Sequence, residues 1–263
     1  MNTIKLKAFL EGLYYVYARR KVINPDPLYF LYGYEDVRDR EIAGLVASSL
    51  AYGRVAQIMR SVERVLACLT KNPHEFLRRN KDSHIVPETF KHRFTTAEDM
   101  NNLLANITGI LREYGSLENF AGECLKVSGG NIFSGMDRFS EMLSRGKAEG
   151  AFSLVTSPKD GSACKRLFLY LKWLVRSDDV DPGGWNVITP RELVVPTDTH
   201  MHRIAGLLGL THRKSADLRT AIEITEGFRE ICPEDPAKYD FVLTRFGIRA
   251  GLDAQELLDL LKE

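Results

Sequence analysis

Apolar and small residues recur at helical spacing along most of this chain. From Ile42 to Leu50 they fall at positions i, i+3, i+4, i+7 and i+8, the spacing of one buried helix face. A second such segment begins after Tyr52-Gly53-Arg54, and Gly53 predicts a tight turn between the two helices. The same periodicity predicts helices over residues 100–114, 166–175, 199–208, 216–229 and 239–246. No alternating pattern long enough for a strand interrupts them, so we predict an all-α fold.

One long connection breaks this helical pattern. Residues 178–196 contain Pro182, Gly183, Gly184, Pro190 and Pro196 between two strongly periodic segments. Connections of this length inside a compact protein usually have a functional role. The segment leads directly to Asp198, which is therefore the first residue to test for chemistry.

Length and composition describe an ordinary globular protein. The chain has 263 residues, 44% hydrophobic and 27% charged, enough for one domain or two interlocked lobes. It has no apolar run of about 18 residues and no leader-like pattern at residues 1–10, so we expect a cytoplasmic protein without membrane contact. The cysteines form no C-x-x-C pair, and we expect free, buried thiols, no metal and no cofactor: Cys68, Cys124, Cys164 and Cys232.

Net charge alone does not indicate a nucleic-acid partner, because it is only +1. Its distribution is uneven. Residues 1–80 hold 13 Lys and Arg against 8 Asp and Glu, whereas residues 221–263 hold 5 against 10. Such asymmetry is compatible with one basic face for phosphate and equally with an ordinary surface fluctuation, and both interpretations stay open here.

The segment around Asp198 carries two competing interpretations. Pro196 keeps the preceding residue extended, and Asp198 is well placed to cap the next helix. A structural N-cap therefore explains this aspartate as readily as a catalytic role does. A metal site is disfavoured, because the i, i+2 spacing of His200 and His202 puts them on different sides of a helix.

The run Pro-Thr-Asp-Thr-His-x-x-Arg-Ile-Ala over residues 196–205 resembles the catalytic segment of the helix-hairpin-helix/Gly-Pro/Asp DNA glycosylases. The resemblance covers about residues 36–250 and is strongest over 158–247. It looks closest to an uncharacterised bacterial branch, with some similarity to archaeal 8-oxoguanine glycosylases. It implies a two-lobed fold, with lobe A formed by residues 1–40 and 211–263 and lobe B by residues 41–210. Asp198 then corresponds to the catalytic acid. The closely spaced cysteines of the family's iron–sulfur cluster are absent, so no cluster is expected.

The same resemblance assigns Lys165 as the nucleophile at the start of the second hairpin helix. Lys165 follows Gly161 by four residues, but Ala163 stands where the family has a second glycine. The spacing of 33 positions to Asp198, and a second lysine at Lys172, are similar to the archaeal branch. The helix dipole favours the neutral amine that attacks carbon. The alternative is a solvated stripe of Lys165, Lys172 and their neighbours along the edge of an apolar helix.

Candidate contacts to duplex DNA follow from these assignments. The hairpin at Gly161 and Ser162 is expected to bind a backbone phosphate, with Arg166, Lys172 and Arg203 as neutralising cations. The turn at Tyr52, Gly53 and Arg54 is expected to enter the duplex, although a plain helix turn explains it equally well. The candidate substrate-pocket residues are Trp185 and His200.

These expectations describe a monomeric base-excision repair glycosylase with β-lyase activity. The partner is double-stranded DNA with a damaged base, and the archaeal resemblance favours an oxidised purine. Three alternatives stay open: a monofunctional glycosylase, a DNA-binding relative without activity, and a helical scaffold for protein partners. DNA affinity separates the last from the others, and base release separates the first two.

Overall fold

The computed structural model describes residues 3–146 and 153–245, and these residues are mostly helical. The helices are α1 (Thr3–Tyr17), α2 (Val37–Ser49), α3 (Val55–Cys68), α4 (Pro73–Arg79), α5 (Ala97–Tyr114), α6 (Leu117–Val127), α7 (Ile132–Leu143), α8 (Lys165–Val175), α9 (Thr199–Leu207), α10 (Leu218–Ile231) and α11 (Asp240–Arg245). Two strands, β1 (Lys91–His92) and β2 (Thr95–Thr96), pair antiparallel. The predicted all-α class is confirmed, with this small hairpin as an addition.

Helix boundaries follow local chemistry that the periodicity alone does not show. The helix predicted from residue 100 begins at Ala97, because Thr96 and Asp99 form a capping box in which each side chain accepts the other's backbone N–H. It ends at Gly115, whose φ of 84° suits a glycine, as predicted. The helix predicted over 239–246 is described only as far as residue 245, and its remaining position lies outside the described residues.

The core is built around α2 and α8. Nine consecutive residues of α2, from Glu41 to Ser49, are buried, and α2 packs against α3, α4, α6 and α8. Helix α8 is apolar nearly all round, as expected for a central helix, and the buried apolar residues form one continuous cluster. Helix α1 packs against α10 and α11, so the two ends of the described chain meet.

The long connection after α8 folds back onto that helix before it reaches Asp198. The N–H of Gly183 donates to the carbonyl of Trp173, and the N–H of Trp185 donates to that of Leu174. Gly183 has a φ of 63°, and a Cβ there would lie 2.8 Å from the Arg176 carbonyl oxygen, so this return requires glycine. The loop therefore fixes where α9 begins relative to α8.

Within the described residues, none of the helices combines the length and the apolar character needed to cross a membrane.

Candidate active site

The first turns of α8 and α9 face each other and bring the two predicted catalytic residues into contact. Lys165 is the first residue of α8, and Asp198 is the N-cap of α9. Lys165 Nζ lies 2.9 Å from Asp198 Oδ2, and the two side chains are 35% and 30% exposed. Residues 33 positions apart in the chain are thus a charge pair that solvent still reaches.

Asp198 performs the structural role and remains available for a chemical one. Its Oδ1 accepts hydrogen bonds from the N–H groups of His200 and Met201, both at 2.9 Å, which caps α9. Its Oδ2 faces Lys165. Burial raises the pKa of Asp198, but the charge of Lys165 and the Met201 hydrogen bond outweigh it, so the pKa lies below the usual value. The carboxylate is therefore ionised at neutral pH.

Both residues line a cleft of about 730 Å³. The cleft lies between the start of α3, the first turns of α8 and α9, and α11. Its walls combine apolar and ionisable groups: Asp26, Tyr52, Ile58, Ser162, Lys165, Arg166, Leu169, Lys172, Trp173, Asp198, His200, Asp240, Phe241 and Thr244. This volume falls in the range of about 300–1,000 Å³ that is typical of small-molecule sites.

Two further predicted residues, Tyr52 and Arg166, lie in the cleft wall in a well-fixed arrangement. The hydroxyl of Tyr52 lies 2.9 Å from the His92 carbonyl oxygen and 2.7 Å from Thr95 Oγ1. The Arg166 guanidinium lies 5.3 Å from the centre of the Tyr52 ring and donates to the carbonyls of Ser49 and Ser153. Arg166 therefore joins the start of α8 to the end of α2, and its phosphate contact stays a prediction.

The hairpin before Lys165 differs from the expected form. A 3₁₀ turn at Pro158–Asp160 precedes Gly161, and Gly161 has a φ of 72° in the left-handed region. The Gly161 carbonyl accepts the N–H of Leu218, which joins the hairpin to the start of α10. Ser162 and Gly161 are both exposed, and Ser162 lines the cleft. The turn thus presents backbone beside Lys165, as predicted, but on a short 3₁₀ turn.

His200 and the remaining predicted DNA contacts divide between the cleft and the outer surface. His200 is partly buried in the cleft wall, and its Nε2 is a buried atom without a hydrogen-bond partner among the described residues. Gly53 is exposed and lines the cleft. Arg54 and Arg203 are exposed and lie outside the cleft lining.

Lys172 is a correction to the sequence-based prediction. Its side chain is 1% exposed, and its Nζ lies 3.3 Å from Asp181 Oδ1 and 3.1 Å from Asp240 Oδ2. An ammonium held between two buried carboxylates has no free charge for a DNA phosphate, so the predicted DNA contact is wrong. Asp240 comes from α11, far along the chain, and sequence spacing gave no sign of it.

Trp185 is a second correction. It is 3% exposed, does not line the cleft, and donates from Nε1 to Glu41 Oε2 at 2.9 Å. Its ring packs edge-on against Tyr170 with a centroid distance of 5.3 Å. Burial raises the pKa of Glu41 to about 7, although the carboxylate also accepts the N–H groups at the start of α6. Trp185 therefore stabilises the Gly/Pro loop from inside the core and does not contact a substrate.

Several cleft residues were not found from the sequence. Asp26 caps a 3₁₀ turn at Pro27–Gly33, and only the proline-flanked run Asn24-Pro25-Asp26-Pro27 marks it as unusual. Phe241 and Thr244 come from α11, whose periodicity gives no sign that it borders a site. Such residues are brought to the cleft only by the packing of distant helices.

The cysteines and possible metal ligands are dispersed. Cys124 and Cys164 are buried as expected, whereas Cys68 and Cys232 are partly exposed. Across residues 3–146 and 153–245, no three His, Cys, Asp or Glu side chains are grouped so that they would hold a metal ion.

A family model described as "Protein of unknown function (DUF2400)" matches residues 26–249. Searches of curated proteins and of solved structures find no match. The matched region includes α2 to α11 and every residue of the cleft named above.

Proposed function

This chain belongs to the DUF2400 family of proteins of unknown function, and from its site we propose that it is a DNA glycosylase with lyase activity. Lys165 is the nucleophile that attacks C1′ of a flipped-out nucleotide. Asp198 takes up the lysine proton and passes it to the departing base, so that its carboxylate is ionised again and stabilises positive charge on the sugar. The proposal includes the two-lobed helix-hairpin-helix fold that the sequence resemblance implies. Duplex DNA with an oxidised purine is the first substrate to test.

The observation that carries this proposal is the 2.9 Å contact between Lys165 Nζ and Asp198 Oδ2 in the wall of the 730 Å³ cleft. A pair this exposed contributes about 0–1 kcal/mol to stability. The α9 cap accounts for the aspartate, but fold stability gives little reason for a lysine to meet it there. A nucleophile beside its proton acceptor, in a cleft large enough for a nucleotide, accounts for the arrangement.

The chemistry needs one proton transfer before bond formation. When Nζ gives a proton to Oδ2, the amine lone pair becomes available and forms the Nζ–C1′ bond. The C1′–base bond breaks at the same carbon, its electron pair leaves with the base, and the base takes up the proton held on Asp198 Oδ2. The adduct then opens to an imine as the C1′–O4′ bond breaks and one Nζ proton passes to O4′. Loss of a C2′ proton then forms a C2′–C3′ double bond and expels the 3′ phosphate. Because Oδ1 is held by the α9 cap, Oδ2 stays directed at Nζ throughout.

Borohydride trapping tests the proposal. The protein is incubated with duplexes that carry 8-oxoguanine, uracil or an abasic site, and borohydride is added to reduce the imine to a stable amine. We expect a covalent protein–DNA adduct with wild type and none with Lys165→Ala. Lys159→Ala is the matched control, because Lys159 pairs with Glu141 outside the cleft and is 53% exposed.

The alternatives give different outcomes in the same assay. A monofunctional glycosylase releases base without a trapped adduct. A DNA-binding relative binds duplex in a salt-dependent way and releases no base, and a protein scaffold does not bind DNA even at low salt. An adduct that persists in Lys165→Ala at the wild-type level rules out the assigned nucleophile.

A further inference from the structure

An exposed aromatic side chain lies at the tip of the β1–β2 hairpin. The strands pair Lys91 with Thr96 and His92 with Thr95, which leaves Arg93 and Phe94 as a two-residue turn. The Phe94 side chain is 64% exposed. Single exposed apolar residues are common on protein surfaces, so exposure alone does not indicate a function for this ring.

The hairpin is fixed to the wall of the cleft. The Tyr52 hydroxyl lies 2.9 Å from the His92 carbonyl oxygen and 2.7 Å from Thr95 Oγ1, and His92 Nε2 lies 3.1 Å from the Tyr52 carbonyl oxygen. The rings of Tyr52 and His92 also pack edge-on, with centroids 4.7 Å apart. Because Tyr52 lines the cleft, these contacts hold the hairpin that carries Phe94 beside the cleft wall.

The turn keeps a backbone conformation that its residues do not favour. Arg93 has a φ of 52°, a region that favours glycine or asparagine in two-residue turns. Its aliphatic chain packs over Gly53, where a Cβ would lie 2.7 Å from Arg93 Cδ. Gly53 is thus needed both for its own φ of 97° and for the approach of Arg93. Strain of this kind concentrates at functional sites.

Exposed cations lie on the hairpin and beside the Gly53 turn that it contacts. Lys91, Arg93 and Arg54 are all exposed, and the Arg93 guanidinium lies 5.5 Å from the centre of the Phe94 ring. Cations can neutralise backbone phosphates, and an aromatic face can stack on a base. Tyr52 is anchored through its hydroxyl and is only partly exposed, so Phe94 is the more accessible of these two rings.

We propose that Phe94 enters the DNA duplex beside the cleft and stacks on the bases left beside a flipped-out nucleotide. Lys91, Arg93 and Arg54 bind the flanking phosphates. This inference rests on the proposed function and adds to it the surface that opens the duplex. It also assigns to the hairpin the role that the sequence suggested for Tyr52 and Arg54.

Duplex binding tests this role without any catalytic step. The probes are a duplex with a central tetrahydrofuran abasic analogue and the same duplex intact, titrated by fluorescence anisotropy at several salt concentrations. We expect Phe94→Ala to weaken binding of the abasic duplex by about 5- to 100-fold, with an unchanged salt slope because no charge is removed. Phe94→Trp should retain binding, because it keeps a stacking surface.

The matched control is Tyr15→Ala. Tyr15 is 74% exposed and also has an arginine, Arg19, over its ring at 5.1 Å, but it lies on α1 outside the cleft lining. Its removal should leave binding unchanged. If Phe94→Ala binds the abasic duplex like wild type while the borohydride adduct still forms, the wedge role is overturned and the proposed function stands. If wild type neither binds duplex nor forms an adduct, both are overturned.

Discussion

Helix α8 carries two lysines, two turns apart, that each meet aspartate, and the two sites differ in almost every physical respect. Lys165 at its start is 35% exposed and meets Asp198 in the open cleft. Lys172 is 1% exposed and lies between Asp181 and Asp240, with Arg176 bound to Asp181 beside them. The sequence presents both lysines on one stripe of the same helix.

The aspartates respond to their surroundings in opposite directions. Burial raises the pKa of Asp240 and the charge of Lys172 does not overcome it, so that pKa stays above the usual value. Burial also raises the pKa of Asp198, but Lys165 and the α9 N–H groups outweigh it. One pair is therefore part of the fold's interior, while the other keeps an ionised carboxylate and a reachable amine at a cleft. Accessibility, rather than residue type, separates them.

The largest expected effect is on chemistry at the open pair. Lys165→Ala should reduce adduct formation by about a thousandfold or more, because nucleophile loss removes the covalent route. Its free energy of unfolding should change by no more than about 1 kcal/mol, since the pair is partly exposed. Adduct yield and urea unfolding measure the two quantities. If the main effect of Lys165→Ala is a large loss in the free energy of unfolding rather than in adduct yield, the pair has a structural role.

The buried pair should show the reverse behaviour. Lys172→Met leaves Asp240 without its cation in the interior, and we expect a loss of about 3–5 kcal/mol in the free energy of unfolding. Urea unfolding measures it, with Lys165→Met as the matched control on the same helix. Addition of Asp240→Asn to Lys172→Met should recover part of the loss. Equal stability of the two methionine variants would contradict the comparison.

Asp198 allows its capping and chemical roles to be separated. Asn caps a helix about as well as Asp, so Asp198→Asn should keep the fold's stability while Asp198→Ala should lose about 1 kcal/mol. Both should reduce adduct formation strongly, because neither side chain can accept the lysine proton. Thermal or urea unfolding measures the capping role, and the trapping assay measures the chemical role. Normal trapping by Asp198→Asn would show that the carboxylate only caps α9.

The smallest expected effect is on the pH dependence of stability. The pKa of Asp198 lies below 3.8 in the folded protein, so its contribution to stability is present above that pH and is lost as the pH falls. The stability difference between wild type and Asp198→Ala should therefore shrink on acidification. Asp240 should behave with the opposite sign, since its raised pKa makes its contribution fade as the pH rises. Unfolding curves at several pH values measure the stability contribution of each aspartate. If the contributions of Asp198 and Asp240 change in the same direction on acidification, the predicted difference in sign is wrong.

Sequence patterns predicted local features of this fold well. The 3.6-residue period located α2, α3, α5, α8, α9 and α10, and Gly53 and Gly115 marked turns that the structure contains. An N-cap was one of the two interpretations of Asp198, and the structure contains it; the start of a helix at Lys165 followed from the family resemblance. These features depend on residues a few positions apart, which is the range that a pattern can report.

Features that depend on distant contacts were missed or misassigned. Lys172 was predicted to contact DNA, and this prediction is wrong. Its partner Asp240 lies 68 positions further along the chain, beyond the range of any local pattern. Trp185 was predicted to line the substrate pocket, and this prediction is also wrong. Nothing near Trp185 in the chain indicates that its indole N–H donates to Glu41. The Arg93–Phe94 turn was not predicted, because strands of two residues are too short to show an alternating pattern.

The sequence by itself predicted α2, α3, α5 and α8 to α11, with a lysine and an aspartate near two helix starts, but it did not predict α1, α4, α6 and α7. Tertiary structure decided which lysine remains accessible and which one is buried between carboxylates. The physical reason is that helix formation follows local backbone and side-chain preferences, whereas the burial of a charge depends on which distant side chains pack against it. The cleft at Lys165 and Asp198 exists because α8, α9 and α11 converge without filling the space between them.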